Sequence, residues 1–478
     1  MAASTGTHRR DRAPGTTNPP DGPGARTLLV VAAFALLVRV LYCVFVIPDY
    51  TPTTDDAHYN DIALKVSQGH GIASQFPYIW THATAFRPPL YPVLLGGLYA
   101  VFGEHLVVAQ AFNVVLGTGV VVLATLLAFR LGGRTAGLVT AVVATLHPSL
   151  LAGDGVVLTE PLALLLLLAT LLALDRDRYA LAGLLSGLLV LTRPSAQLFV
   201  PVVAAYLLLS AWRRSGWRSA GPDSGSGDSG SGDSGSGFRA GMRSGLKPAL
   251  VFALVAIATT LPWVVRNEIV FGKPVLVTSN GFNLAAIYSP IALQQGHFVD
   301  PVHDERFAPI TRFSELYNLD EVTLDATLRK QGLEGIRQSP GRVPGVIAKN
   351  VGYLSDYFWH TNDGAEALDG RNIAFRHRTL PYVWLVLLLG AAGLWIMRRQ
   401  HLGAVIVLSA AYMTAVSLIT VSPPRLRAPL DVLCCVAVGV LVAAVVDRVR
   451  ARRAARAPER SVDTAPDAAP GAAVGAGR

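Results

Sequence analysis

The chain has 478 residues, 51% hydrophobic and 15% charged, with a formal net charge of +9 and a mean hydropathy of +0.42. A soluble domain carries about 25% charged residues, so this chain has too few charges to cover a water-facing surface and must turn most of its surface to lipid. The excess of positive charge lies between apolar runs and in the tail rather than along one face. It therefore reads as a membrane-topology signal, and no nucleic-acid partner is expected.

The first segment, 1–26, is polar and basic and is expected to be cytoplasmic and disordered. An apolar run follows from about Thr27 to Pro48, interrupted by Arg39; it is too long for a secretory signal core and should remain as an anchor. Further spans of roughly 17 to 25 residues are expected to start near Leu106, Thr135, Val156, Tyr179, Ser195, Pro248, Leu380, His401 and Ala428, which makes ten. The stretch Pro88–Phe102 is apolar but short and broken by Pro and Gly, and reads as an interfacial or re-entrant helix. Counting it as a span would put the basic segments Arg130–Arg134, Arg213–Lys247 and Arg398–Arg399 outside, against the positive-inside rule.

With ten spans, both termini are cytoplasmic, and the segments Asp49–Phe86 and Arg266–Arg378 face outward. The expected organisation is an N-terminal membrane half over 27–212 with its outer loop at 49–87, and a C-terminal half over 248–447 with its outer loop at 266–378. Between them, 213–247 contains three copies of DSGSG, a composition that cannot bury a core and should form a flexible cytoplasmic linker. The tail 448–478 is expected to be cytoplasmic and disordered. Cys43, Cys434 and Cys435 all lie inside apolar runs, so neither a disulfide framework nor a CxxC metal motif is present.

The first outer segment packs Asp55, Asp56, His58, Tyr59 and Asp61 at the membrane surface. A helix from Asp55 puts Asp55, Tyr59 and Ile62 on one face and Asp56 on a neighbouring one. Such an acidic pair can cap a helix, hold a metal or act as general base. Arg87, Glu160, Arg193, Arg266, Arg425 and Arg427, far apart in sequence, all come to the same outer surface on this topology. One such residue could be a snorkelling anchor. Five separated arginines converging with carboxylates instead suit a phosphate at headgroup depth, because guanidinium binds phosphate through a planar fork. Arg39 lies deeper and should pair within the bundle. The aromatic group Tyr353, Tyr357, Phe358 and Trp359 fits an interfacial belt better than a sugar platform.

The order of these motifs is an acidic pair and Tyr after the first span, then RPPLYP, TEPL, LTRP, PWVVRN with TSNGFNL, and a late RLRAPL. It resembles the GT-C glycosyltransferases, in particular the bacterial relatives of protein O-mannosyltransferases and of the lipid A aminoarabinose transferase. The resemblance covers about Thr27 to Val446, apart from the linker. It implies an all-α polytopic membrane protein, a GT-C-like bundle of about ten transmembrane helices with an interfacial or re-entrant helix and a large extracytoplasmic loop, in the cytoplasmic membrane. It further implies an inverting transfer of sugar from a polyprenyl-phosphate donor to an extracytoplasmic glycan, lipid or protein acceptor.

By matching position, Asp55 is the general base of that family, Arg87 and Arg193 bind the carrier phosphate, and Glu160 is an acidic residue near the carrier. Asp56 stands where the family usually has Glu and is taken as the second catalytic carboxylate. Arg266, Arg425 and Arg427 are expected to join the donor-phosphate site, and Tyr59 and Asn283 to contact substrate. The chemistry needs one base and several arginines. No Walker motif, GxGxxG, HExxH or paired CxxC is present, so no cofactor and no metal are expected. A transporter or flippase of lipid-linked sugars is the main alternative, and a noncatalytic envelope scaffold a third; a transporter should carry its charges near the midplane and show repeated spans.

Overall fold

The computed structural model describes residues 22–78, 80–218, 234–316, 320–421 and 423–456. Helix α1 (Ala25–Phe45) enters the bundle, and α2 (Asp55–Ser67) follows the first turn. A two-stranded antiparallel hairpin, β1 (Ala73–Ser74) with β2 (His82–Ala83), leads to α3 (Leu90–Phe102). The bundle continues through α4 (Leu106–Thr145), α5 (Pro148–Asp154), α6 (Glu160–Asp175), α7 (Tyr179–Val190), α8 (Phe199–Arg218) and α9 (Ser234–Phe271). Six helices, α10 (Asn280–Tyr288), α11 (Pro290–Gln295), α12 (Ala308–Leu316), α13 (Glu321–Gln338), α14 (Val343–Leu354) and α15 (Trp359–Leu368), then build a layer over one end. The last three, α16 (Ile373–Met397), α17 (His401–Ile419) and α18 (Ala428–Arg456), return to the bundle.

Among the described residues, α1, α4, α9, α16, α17 and α18 are long and apolar enough to cross a membrane. The expected spans near Leu106 and Thr135 share α4, which Gly132 and Gly133 break into two helices. Gly133 takes φ 69°, a left-handed conformation that costs a side-chain-bearing residue more than glycine. Helices α6 and α7 are shorter than a full span, at 16 and 12 residues. Nearly every residue of α6 is buried, so it is shielded by its neighbours rather than by lipid. Helix α3 has 13 residues, the length expected of an interfacial piece.

Helix α18 packs on both α4 and α16. The approach is close enough that a Cβ on Gly439 would stand 2.2 Å from Thr140 Oγ1, and one on Gly393 2.1 Å from the Ala437 carbonyl oxygen. Small residues therefore set these helix crossings, as is usual where lipid supplies no hydrophobic drive. The main core, with Leu127 of α4, Leu167, Leu168 and Leu171 of α6, Phe199 of α8 and Phe252 of α9, lies within the bundle. The expected pairing of Arg39 occurs inside it: its Nε lies 2.7 Å from Asp154 Oδ2.

The DSGSG linker lies outside the described residues up to position 233, and the chain is helical again from Ser234. The segment 1–21 and the tail beyond Arg456 also lie outside them; α18 itself continues to Arg456, past the expected boundary at 447.

A second, smaller core joins the two outer segments. Tyr78 of the first packs with Ala285, Ala292, Val299, Phe307, Leu324 and Leu328 of the second. Glu321, 2% exposed, fastens the two together. Its carboxylate accepts from Thr84 Oγ1 at 2.6 Å, the Ala85 amide at 2.9 Å and Thr278 Oγ1 at 2.7 Å, and it meets His82 Nε2 at 2.7 Å. A buried carboxylate is tolerable only with this density of partners.

Candidate active site

The polar cluster of the first outer segment separates into two roles by the geometry of α2. Asp56 is fully buried and turned away from the cavity: its Oδ1 accepts from the Thr53 amide at 3.0 Å and the Thr54 amide at 2.8 Å, and its Oδ2 from Tyr50 Oη at 2.7 Å. The Tyr50 hydroxyl in turn accepts from the Val157 amide at 2.9 Å, so Asp56 ties the start of α2 to the loop before α6. Asn113 Nδ2 holds the same loop by donating to the Val156 and Leu158 carbonyls at 2.5 and 3.1 Å. That loop places Glu160 at the first turn of α6.

Asp55 points the other way, into a cavity of about 1320 Å³ between the bundle and the outer layer. Its Oδ1 accepts from Arg87 Nη2 and its Oδ2 from Arg425 Nη2, so each oxygen is bonded to a guanidinium. Burial pushes the Asp55 carboxyl up, but Arg87 and Arg425 outweigh it and hold it well below the usual carboxylate range. Arg87 Nε donates to His58 Nδ1 at 3.2 Å, and the guanidinium lies 5.2 Å from the Tyr59 ring centre. Burial, then the charge of Arg87, pushes the His58 imidazole well below its ordinary value, so it is neutral. Bonded through Nδ1 as acceptor, it carries its proton on Nε2, a buried atom with no partner among the described residues.

Both expected phosphate ligands of the N-terminal half precede proline, which disfavours helix for Arg87 and Arg193 and lets the chain turn there. Arg193 is extended, at φ −139° and ψ 127°, and its Nη1 lies 3.1 Å from Glu160 Oε1. The two motifs are tied together by the Leu90 amide, which donates to the Leu191 carbonyl at 3.0 Å. Arg425 arrives from the short turn Pro424–Arg427 ahead of α18.

The structure thus gathers Asp55, Tyr59, Arg87, Glu160, Arg193, Asn283 and Arg425 around one cavity, and it does not bring Asp56, Arg266 or Arg427 there. Arg266 supports the first outer segment from behind, donating to the Thr84 and Ile72 carbonyls at 3.0 and 3.1 Å. Arg427, 2% exposed, sits in a separate buried network with Asp431 at 2.8 Å and Asp356 at 3.1 Å. The aromatic group also divides: Tyr353 lines the cavity, whereas Tyr357 is 76% exposed.

Sequence reasoning missed Asp369, whose Oδ1 lies 3.0 Å from Arg425 Nη1 and 3.3 Å from Thr54 Oγ1, and whose side chain lines the same cavity. Burial pushes its carboxyl up to about 6, against the pull of Arg425 and Arg371. The available signal was the run LDGRN, an acid and a base immediately before an apolar helix.

The site occupies one end of the bundle. Glu160 and Arg193 meet there at the start of α6, while Asp175 at the end of α6 meets Arg130 Nε at 2.8 Å beside the Gly132–Gly133 turn. The basic turns and the cavity are therefore at opposite ends.

Residues 86–224 match the family model of the dolichyl-phosphate-mannose-protein mannosyltransferases. No curated protein matches the chain. Among solved structures it is similar to the oligosaccharyltransferase AglB from Archaeoglobus fulgidus in complex with an inhibitory peptide and a dolichol-phosphate. That match has a TM-score of 0.51 and 14% identity, and covers 90% of this chain and 51% of that one. An Archaeoglobus fulgidus oligosaccharyltransferase in the apo form gives a TM-score of 0.52 at 14% identity, covering 90% of this chain and 52% of that one. ArnT from Cupriavidus metallidurans, bound to undecaprenyl phosphate, matches with a TM-score of 0.32 and 14% identity over 90% of this chain and 80% of that one. The chain spans about half the length of the archaeal oligosaccharyltransferase.

Proposed function

We propose that this multi-pass membrane protein, which has the GT-C fold, is an inverting glycosyltransferase. It takes a sugar from a polyprenyl-phosphate donor and passes it to an acceptor hydroxyl at the extracytoplasmic face of the cytoplasmic membrane. The match of residues 86–224 to a mannosyltransferase family supports the reaction class. The observation that carries the reading is Asp55, a carboxylate bonded on each oxygen to an arginine at the wall of a cavity large enough for a sugar phosphate.

In this reading Asp55 accepts the proton of the acceptor hydroxyl. The acceptor oxygen forms a bond to the anomeric carbon, the bond from that carbon to the phosphate oxygen breaks, and the electron pair leaves with the carrier phosphate. Attack opposite the leaving group inverts the anomeric centre. Asp55 is a weak base while two guanidiniums hold it; the donor phosphate draws Arg87 and Arg425 towards itself, freeing the carboxylate when the donor is in place. Arg193, paired with Glu160, supplies a third guanidinium, and Tyr59 and Asn283 contact the sugar or acceptor. Glu160 Oε2 and Arg425 Nε are buried without partners among the described residues, as suits a site completed by a ligand.

The test is incubation of the purified protein with a panel of polyprenyl-phosphate sugars and membrane extract, with products identified by mass spectrometry. Asp55→Asn keeps the size of the side chain and removes the base. A loss of about 100-fold to 10,000-fold in transfer, with polyprenyl-phosphate binding retained, is expected. Normal transfer by that variant would remove Asp55 as the base, and no transfer from any member of the panel by the wild type would overturn the reading.

A further inference from the structure

The cavity was expected from sequence to be a basic patch, yet each of its arginines is paired with a carboxylate. Arg87 pairs with Asp55, Arg193 with Glu160, and Arg425 with both Asp55 and Asp369; Arg371 and Glu366, which lie beside the cavity without lining it, pair with each other at 3.0 Å. These four guanidiniums and four carboxylates sum to zero charge, and among the other lining groups Asp61 and Asp300 outnumber Lys349, so the cavity has no surplus of positive charge. An anionic phosphodiester entering this partly buried cluster makes it net negative and competes with carboxylates for their arginines, which a low-dielectric site resists.

We infer that binding of the donor phosphodiester is coupled to uptake of a proton by Asp369, which releases Arg425 to the phosphate. The inference rests on the proposed donor and concerns the same site.

The geometry singles out Asp369. Asp55 has both oxygens engaged by arginine and Glu160 has Arg193 to itself, whereas Asp369 must share its one arginine, Arg425, with Asp55. Its Oδ2 accepts no hydrogen bond from the described residues, and the side chain lines the cavity. The groups that face it are Asp55 and the Thr54 hydroxyl at the start of α2, Arg425 from the turn before α18, and Glu366 and Arg371 on either side along its own segment. The Tyr50 ring lies against the adjoining Gly370, and Glu160 of α6 lies within the field of Arg425 and Arg371. Burial already brings Asp369 to about 6, so an added negative charge carries it towards neutrality near pH 7. Protonation restores zero charge and weakens one of the two carboxylate claims on Arg425. Asp369 is on this view a positioning residue: it governs which anion Arg425 holds and need not touch the reacting atoms.

Calorimetric titration of the detergent-solubilised full chain with a short-chain polyprenyl methyl phosphodiester tests this, because the probe carries one fixed negative charge across the range used. Titrations at pH 7 in two buffers of different ionisation enthalpy count the protons. Uptake approaching one proton per ligand is expected in the wild type, with affinity falling by up to about tenfold per pH unit above pH 7. Asp369→Asn should bind at least as tightly at pH 7 with uptake near zero, and Asp369→Glu should restore the uptake. Binding without proton uptake in the wild type overturns the inference whatever the variants do, as does undiminished uptake in a folded Asp369→Asn. Absence of binding by the wild type overturns the polyprenyl-phosphate reading itself. Dimethyl phosphate is the chain-free control; if it binds as tightly as the lipid probe, the anion is not recognised as a lipid headgroup and the coupling assigned to the donor falls.

Discussion

Asp55 and Asp56 are neighbours in sequence, yet α2 sends their carboxylates to opposite tasks, one into the cavity and one into the backbone of the preceding turn. Removing the second should cost stability rather than chemistry. Asp56→Ala leaves the Thr53 and Thr54 amides and the Tyr50 hydroxyl without an acceptor in a buried place, a loss of about 1 to 3 kcal/mol for each group left unsatisfied. Thermal unfolding in detergent should therefore come at a lower temperature, while transfer per folded molecule stays well above that of Asp55→Asn. Equal inactivity of the two variants, with equal stability, would place Asp56 in the chemistry. Arg425→Ala removes the counter-ion of two carboxylates and a donor to the phosphate. Affinity for polyprenyl phosphate should fall by about 1.5 to 3 kcal/mol, and Arg425→Lys should recover only part of it, because ammonium lacks the guanidinium fork.

At the scale of elements, the site depends on how the first outer segment is braced. The hairpin of β1 and β2 has two residues in each strand, too short to be stable alone, and its support is Glu321 at the start of α13. Burial lowers the His82 imidazole, but its hydrogen bonds to Glu321 and the Trp80 carbonyl, together with the Glu321 charge, outweigh it, so the folded value lies above the ordinary one. A group raised by folding contributes stability that is fully present below its unfolded value and is lost as pH rises through the folded value. Hydrogen exchange over residues 72–85, corrected for the intrinsic rate, should accelerate as pH rises above the ordinary imidazole value of about 6.5. His82→Gln should exchange faster at the lower pH and lose that dependence. An unchanged profile in the variant would show that the bond to Glu321 does not brace the hairpin.

For the whole molecule, the separation of the cavity from the basic turns along α6 carries the topology. Cysteine introduced at the exposed positions Thr81 and Gln338 should react with a membrane-impermeant maleimide in intact cells, while one at Asp177 or Gln400, also exposed in the fold, should react only after the membrane is opened. Labelling at Asp177 from outside would invert the assignment of faces. The same separation explains why a chain with a net charge of +9 has no positive surplus at its candidate site: the surplus arginines belong to the turns and tail, whereas those at the cavity are paired with carboxylates.

Much of this was legible in the residues themselves. Apolar runs bounded by arginine mark the helices because the length and polarity of a lipid-embedded segment are local properties, and Pro after Arg87 and Arg193 marks the chain turns that free those side chains. The GT-C resemblance likewise rests on the order of short motifs along the chain. What the sequence could not decide was which of several equivalent charges meet. Arg425 reaches Asp55 across 370 positions, while Arg427, two residues on and half a turn away, faces Asp431 and Asp356 in a closed network. Arg266 was a sound candidate by depth, but its guanidinium is spent on two carbonyls of the first outer segment. Asp369 was missed for the same reason: the run LDGRN marks an acid before an apolar helix, but its role exists only where α2, the turn before α18 and the chain between α15 and α16 come together. Hydrophobic pattern is written residue by residue, but electrostatic pairing is a property of distance in space. The tertiary structure alone therefore decided that the arginines converging on this cavity are already balanced.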